Sequence, residues 1–344
     1  MERPRKILLI RPSALGDVVR SVPVLVSIRK HFPEAQVDWL VQDTFTAGIE
    51  AHPDLNDVIT FARRSYRGKT GWIKAIPWLR HLRRKQYDMV FDCQGLLRSA
   101  LFSFVTGAPE RVGFANAREG GSFAYTKSFH VDREMHTVDR MLELVRLSGI
   151  EPVTDMRLYL SEKGKSGWEK KRKNSGLAGQ PYAVLAPTSR WVGKAWPVER
   201  FLKAADYLFS KGIPRVVIVG AESERMQCQP LINKAQDPQS GFVDMVGKTD
   251  IAELMAVIAD SSFVLANDSA ALHIAVGFDR PLVALFGPTD PAKVGPYHRE
   301  ETVVRPADVP PDITHKNEKA GSEIMQRITV EEVTKKIDEI LSQE

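Results

Sequence analysis

Residues 263–291 read Phe263-Val-Leu-Ala-Asn267-Asp268-Ser269-Ala270-Ala-Leu-His273-Ile-Ala-Val-Gly277-Phe-Asp-Arg280-Pro281-Leu-Val-Ala-Leu-Phe286-Gly287-Pro288-Thr289-Asp290-Pro291. Phe263 to Ala266 is an apolar run of strand length. Asn267, Asp268 and Ser269 are residue types whose side-chain oxygens accept the free backbone N–H groups of a helix start. Ala270 to Val276 then makes a short helix closed by Gly277, and Leu282 to Phe286 a second apolar run ended by Gly287-Pro288. Strand, capped helix and strand in so little chain form a βαβ unit, with its two strands parallel in a buried sheet. Ligands of such sheets bind outside the carboxyl ends of the strands, where both polar clusters fall. A helix N-terminus there offers N–H groups and the positive end of a dipole to a phosphate. A purely structural reading serves the same residues: Asp268 and Ser269 cap the helix and His273 packs against the sheet.

The alternation continues on both sides of this unit. Upstream lie strands at Tyr182 to Ala186, Arg215 to Val219 and Phe242 to Met245, and helices at Val198 to Ser210, Glu222 to Lys234 and Ile251 to Ala259. Downstream, Val309 to Lys319 is polar and reads as a mobile loop. Val330 to Leu341 reads as an amphipathic helix capped by Thr329, with Glu332 at capping-box spacing. Near the N-terminus, Lys6 to Arg11 is a strand and residues 12–17 a loop entering a helix with Val18, Val22, Leu25, Ile28 and Phe32 on one face, kinked at Pro23. Strands follow at Val37 to Val41, Asp57 to Phe61 and Asp88 to Phe91, with a short strand or turn at Arg111 to Phe114, a basic helical segment at Trp72 to Lys85 divided by Pro77, and a helix at Thr137 to Leu147. The 344 residues exceed one ordinary core. The pattern predicts an α/β protein of two doubly wound domains, residues 1–160 and 181–328, with a linker at 161–180 and a last helix at 329–344.

Apolar content of 43% and charged content of 26% suit a globular protein in water, and no apolar run approaches the ~20 residues that cross a bilayer. A cytoplasmic location is expected, since no secretory leader opens the sequence. Cys93 and Cys228 are isolated, which suggests neither a disulfide framework nor a zinc site. The net charge of +5 is concentrated in the runs 63–69, 80–85 and 170–173. Such runs are solvated helix faces, or they meet an anionic membrane surface or a phosphorylated substrate. Aromatics do not interleave with them, so nucleic acid is not an expected partner.

Polar loops at the strand ends carry the candidate chemistry. Asp17 stands at a helix start, as a first-turn carboxylate or as a general base for a hydroxyl. The stretch Pro187-Thr188-Ser189-Arg-Trp-Val-Gly-Lys194-Ala-Trp-Pro197 puts hydroxyls, a cation and a glycine where a diphosphate would sit. Glu222 follows Gly220 at a strand end and suits ribose hydroxyls. Neither GxGxxG nor a Walker A sequence is present. There is no Asp-x-Asp to hold a divalent metal on a diphosphate, so Lys194, hydroxyls and helix N-termini would neutralise a leaving group.

Taken together, Lys-Ile-Leu-Leu-Ile-Arg-Pro-Ser-Ala-Leu-Gly-Asp17, the Thr188-Ser189 to Lys194-x-Trp196-Pro197 loop and Asn267-Asp268-Ser-Ala-x-x-His273 with Phe286-Gly-Pro-Thr-Asp-Pro291 resemble glycosyltransferase family 9, most closely its heptosyltransferase I group. The resemblance implies a GT-B fold, two Rossmann-like doubly wound domains facing across a cleft, with the last helix packing back toward the N-terminal domain. It implies an inverting, metal-independent transfer without cofactor, from ADP-heptose to an anionic Kdo-lipid acceptor, by an enzyme peripheral on the cytoplasmic face of the inner membrane. By that analogy Asp17 is the base. Thr188, Ser189, Lys194, Glu222, Thr249, Asp268, Ser269, Ala270 and His273 bind the donor. Ser13, Gly16, Arg63, Arg64, Arg118, His136 and Arg140 receive the acceptor. Ala270 stands where the family usually has Gly, and the 191–193 loop is one residue longer than its usual pattern. Other readings are a family 9 transferase of another nucleotide-sugar, a sugar-nucleotide epimerase or hydrolase on this fold, and an inactive nucleotide- or glycolipid-binding module.

Overall fold

A computed structural model describes residues 4–343 apart from 67, 69, 70, 311, 312 and 314–316. The chain forms two compact units, Met1–Tyr159 and Leu160–Glu344. The first holds strands β1 (Lys6–Ile10), β2 (Gln36–Gln42), β3 (Asp57–Phe61), β4 (Met89–Asp92), β5 (Glu110–Phe114) and β6 (Lys127–Phe129). The second holds β7 (Ala183–Ala186), β8 (Val216–Ile218), β9 (Phe242–Asp244), β10 (Phe263–Asn267), β11 (Leu282–Leu285) and β12 (Val303–Val304). The sheets run β3-β2-β1-β4-β5-β6 and β12-β11-β10-β7-β8-β9. The central pairings β1–β2, β1–β4, β7–β8 and β7–β10 are parallel, as is β10–β11, the pair expected from residues 263–291. Burial on both faces explains the continuous apolar strands: Ile7 to Ile10 and Phe263 to Ala266 are fully buried. Each such Leu or Ile contributes about 1.5–3 kcal/mol.

Each sheet reverses its winding once, between β1 and β4 in the first unit and between β7 and β10 in the second. The loops leaving these strands diverge there and leave a crevice. Register sets the partners, with Ile10 beside Asp92 and Ala266 beside Ala186. Arg11 therefore emerges next to Cys93, and Asp268 next to the 187–196 loop.

Several expectations are corrected. The first helix is two helices, Leu15–Val19 and Val22–His31, with Pro23 in the first turn of the second, where its missing donor removes no bond. Pro77 lies inside a continuous helix, Gly71–Arg84, and does not divide it. The 161–180 stretch carries a helix, Glu162–Asn174, capped by Ser161 and packed on helix Ile251–Ala259, so it belongs to the second unit. Trp168 anchors it, donating through Nε1 to Asp260 at 3.1 Å. Of the loop expected at 309–319, residues 311, 312 and 314–316 lie outside the described residues, and Glu318 already opens helix Glu318–Met325 under an Asn317 cap. The last helix, Val330–Leu341, has the predicted Thr329–Glu332 capping box. Its apolar face, Val333, Ile337 and Ile340, joins the core of its own unit. No described helix is long and apolar enough to cross a membrane.

Candidate active site

In the first unit the chemistry gathers at the β1/β4 crevice. Asp17 sits in the short helix after β1, a third exposed, with Oδ2 accepting from the Ala14 N–H at 3.3 Å. Arg20, one turn on, donates to Asp17 Oδ1 at 2.5 Å, and Arg11 stands 3.3 Å from the same oxygen. Gly16 orients Arg20 by accepting from its Nε through the carbonyl. Arg11 in turn donates to the Cys93 carbonyl, which ties the first loop to the end of β4. Burial disfavours the Asp17 carboxylate, but the two guanidiniums and the Ala14 N–H outweigh it and hold the carboxyl well below the usual range. The group is therefore a carboxylate at any physiological pH. Ser13 lies half-buried in the same loop.

A second ring of cations stands beside this pair. Arg140, four residues after His136 on helix Thr137–Leu147, lies over the Phe114 ring at 5.4 Å. Burial pushes Arg140 down from the usual range, and the charges of Arg11, Arg133 and Arg118 push it further. Like charges held this close call for an anion. His136 caps its helix, accepting from the Val138 N–H at 3.2 Å. Arg118 is positioned through the backbone. Asp92, at the end of β4, accepts from Gln94 N and Gly95 N, and Gly95 O accepts from Arg118 N at 2.9 Å. Arg11 Nε, Gln94 Oε1 and Arg140 Nε are buried here without a partner. Arg63 and Arg64 follow the edge strand β3, two strands or about 10 Å across the sheet from β1. Arg67 and Lys69 of the same basic run lie outside the described residues.

In the second unit the loops after β7 and β10 interlock. Lys194 Nζ is 2.7 Å from Asp268 Oδ2, and Thr289 Oγ1 donates to the same oxygen at 2.8 Å. Asn267 donates to Pro187 O at 2.7 Å and accepts from Trp196 N at 3.1 Å. Thus Asn267 and Asp268 bind the neighbouring loops, which corrects the expectation from sequence that they cap the helix. Ser269 takes the N-cap position of helix Ala270–Gly277 but makes no capping bond, and its buried Oγ has no partner. The first turn of this helix keeps N–H groups that no capping side chain covers, beside an ammonium and a hydroxyl. His273 is buried one turn further on. Thr188 and Ser189 are buried in the loop: Thr188 donates to Glu224 Oε2 at 2.8 Å, and Gln227 brackets Ser189. A Cβ on Gly220 would come within 2.9 Å of Thr188 Oγ1, so glycine there makes room for that hydroxyl. Glu222 is exposed at the end of β8 and lies over Gly247, a left-handed glycine two residues before Thr249.

Comparison with known proteins names the family. The family model described as glycosyltransferase family 9 (heptosyltransferase) matches residues 77–323. The chain belongs to glycosyltransferase family 9. This family 9 chain is 26% identical over 306 residues to lipopolysaccharide heptosyltransferase 1 of Salmonella typhimurium, covering 86% of the chain and 92% of the relative. It is 28% identical over 304 residues to the protein of that name from Pseudomonas aeruginosa, covering 86% and 82%. Among solved structures, E. coli heptosyltransferase WaaC with ADP-2-deoxy-2-fluoro heptose superposes with a TM-score of 0.74 at 25% identity, covering 97% and 99% of the two chains. A family 9 glycosyl transferase from Veillonella parvula reaches 0.85 at 22% identity, over 100% and 99%, a likeness of fold. The family 9 chain is a glycosyltransferase with the GT-B fold.

Several side chains in these two clusters are not among the sequence candidates. Arg20 was detectable, because Asp17 and Arg20 stand three apart on one helix, the spacing of an ion pair. Arg11 and Thr289 lie inside the quoted motifs. Glu224 and Arg133 carry no sequence signal, since their partners come from other strands. Helix Glu318–Met325 was missed too, and it packs on the loop of Lys194 through Gly193 and Gly321, where a Cβ on either would strike the other's backbone or that of Glu318.

Proposed function

We propose that the protein is an inverting, metal-independent heptosyltransferase that moves a heptose from ADP-heptose to a Kdo-lipid A type acceptor in lipopolysaccharide core synthesis. The observation that carries the donor half is the helix start at Ala270, with its unpartnered Ser269 hydroxyl beside Lys194. It is a seat for a diphosphate. Thr188 and Ser189 add hydroxyls, Glu222 takes the ribose, and the backbone near Thr249 meets the adenine. Asp268, released from Lys194 by the diphosphate, takes sugar hydroxyls with Ala270 and His273 completing the pocket.

In the first unit the acceptor's anionic groups meet Arg118, His136 and Arg140, with Arg63 and Arg64 further out and Ser13 and Gly16 shaping the loop. The acceptor hydroxyl oxygen attacks the anomeric carbon. The bond from that carbon to the diphosphate oxygen breaks, ADP leaves with the electron pair, and the hydroxyl proton passes to Asp17. The two arginines make Asp17 a weak base in the ground state. It therefore acts late, when the attacking oxygen has become strongly acidic. The lipid-linked acceptor and the basic first unit fit an enzyme peripheral on the cytoplasmic face of the inner membrane.

The test is a panel of nucleotide-sugars, ADP-heptose among them, measured by thermal shift and then for transfer to Kdo-lipid A. ADP-heptose should give the largest shift and a product of inverted anomeric configuration. Stronger binding and transfer with another nucleotide-sugar would reject the donor. Turnover of the donor that ignores the acceptor would favour an epimerase or hydrolase.

A further inference from the structure

Helix Leu97–Thr106 buries Ala100 and Phe102 in the core but leaves a second apolar face in water. Leu97, Leu101 and Phe104, at i, i+4 and i+7, share one face and are 45%, 43% and 51% exposed, whereas Ser99, Ser103 and Thr106 are buried. Two of the inward hydroxyls donate to nearby carbonyls, Ser99 to Leu96 O at 2.9 Å and Thr106 to Ser103 O at 2.6 Å, while Ser103 Oγ is buried without a partner. Phe123, 59% exposed, extends the apolar face with its ring 6.2 Å from that of Phe104. Among the described residues no packing accounts for four large apolar side chains in water on neighbouring elements, and a patch of this kind marks a contact surface.

Its border is cationic. A groove of about 610 Å³ runs between this helix and helix Gly71–Arg84, floored by Ile76, Leu79 and Val105 and flanked by Arg80, Arg83 and Arg111. Among the described residues no carboxylate lines it. Arg111 lies 5.9 Å from the Phe104 ring centroid, and burial together with the Arg83 charge pushes it below the usual arginine range. Gly107, left-handed, leaves the space that the Arg83 guanidinium fills. Neighbouring carboxylates are engaged: Asp88 with the Arg5 and Lys6 N–H groups at 2.7 and 2.8 Å, Glu110 with Lys127 at 2.7 Å, and Glu119 with the Leu97 N–H at 3.2 Å.

We infer that this face seats the protein on a bilayer rich in anionic phospholipid, with Leu101, Phe104 and Phe123 entering the acyl boundary and Arg80, Arg83 and Arg111 taking headgroup phosphates. Apolar insertion framed by guanidiniums is the pattern of an interfacial helix, and the charge of the rim selects an anionic leaflet. The face is also continuous with the site already described. The turn that carries Phe123, Arg118–Ala124, packs on this helix and opens with Arg118. A lipid-linked acceptor would thus lie in the same layer that the face enters. The inference rests on the proposed acceptor for its purpose and on the geometry alone for its place.

The experiment is co-sedimentation of the full chain with phosphatidylcholine vesicles, with and without phosphatidylglycerol. The variants are L101S/F104S and R80Q/R83Q, with K170Q/K173Q in the second unit as the control for general basicity. Binding should require phosphatidylglycerol. It should fall about tenfold in L101S/F104S and about thirtyfold in R80Q/R83Q, and stay unchanged in the control. Transfer to a water-soluble Kdo acceptor should be the same in all four proteins, and transfer to vesicle-embedded acceptor should fall in the first two variants only. The inference is overturned by absence of vesicle binding, by equal binding in wild type and both variants, or by an equal loss in the control. It is also overturned if sedimentation shows a dimer that L101S/F104S dissociates while vesicle binding persists, since the face then seats a second copy. If the soluble acceptor is not used but vesicle binding follows the expected pattern, the proposed function falls and the docking face stands.

Discussion

The two crevices of this molecule are built alike and equipped differently. Counted from the central strand, both sheets wind two strands outward and then jump to the other side, giving the orders β3-β2-β1-β4-β5-β6 and β9-β8-β7-β10-β11-β12. At the first jump a carboxylate is surrounded by guanidiniums, Asp17 among Arg11 and Arg20 with Arg140 behind. At the second an ammonium meets a carboxylate among hydroxyls, Lys194 with Asp268, Thr289 and Thr188. Topology supplies the place, and a few loop residues decide what is done there. On this account the first crevice moves a proton and receives an anionic acceptor, and the second holds the activated sugar.

The comparison breaks most visibly at Asp17. Replacing it with Ala should lower kcat by about 10²–10⁴-fold, the range of a positioned base. Steady-state rates at saturating donor and acceptor check this, and near-normal turnover would remove the assignment. Lys194→Ala should lower kcat/KM for the donor by about 10²–10³-fold, because the leaving diphosphate loses a preorganised cation. A loss confined to acceptor KM would place Lys194 in the wrong half of the reaction. Arg140→Ala should raise acceptor KM about tenfold and leave donor KM alone, as expected for one charge-assisted contact. Initial rates with each substrate varied in turn separate the two.

The smallest effect sharpens the electrostatics. Asp17 stays ionised far below neutrality, so kcat/KM should show no acid limb from this group between pH 8 and roughly 5. Arg20→Gln removes one of the charges that depress its pKa. The carboxyl should then take up its proton at higher pH, and the acid limb of the profile should move upward. A limb that does not move in the variant would separate Arg20 from the base.

Much of the fold could be read from periodicity. Helices Thr137–Leu147, Val198–Ser210, Ile251–Ala259 and Val330–Leu341 have the expected limits, since each combines a regular apolar face with a clear start. The failures have physical causes. Helix Leu97–Thr106 escaped because apolar side chains occur on both its buried and its exposed faces, with hydroxyls among the buried ones, and Glu162–Asn174 because it touches its unit through Trp168 and ion pairs on an otherwise polar sequence. Strand β6 is three residues at a sheet edge, too short to show a period. In the site, Asp17, Lys194 and Asp268 were legible as chemistry in short motifs. Arg20 can be read from its spacing to Asp17, but Thr289, the partner of Asp268, and Glu224, the partner of Thr188, are less legible, because those hydrogen bonds depend on which strands the sheet sets side by side.

The division of labour between the crevices is tested most directly by the donor dissociation constant, measured by ADP-heptose titration for Asp17→Ala and Lys194→Ala alongside the wild type. The account predicts an unchanged constant for Asp17→Ala and one weakened at least about tenfold for Lys194→Ala, the loss of one charged contact to the diphosphate. Equal weakening in the two variants would contradict it, since the loop around Asp17 would then belong to the donor site as well.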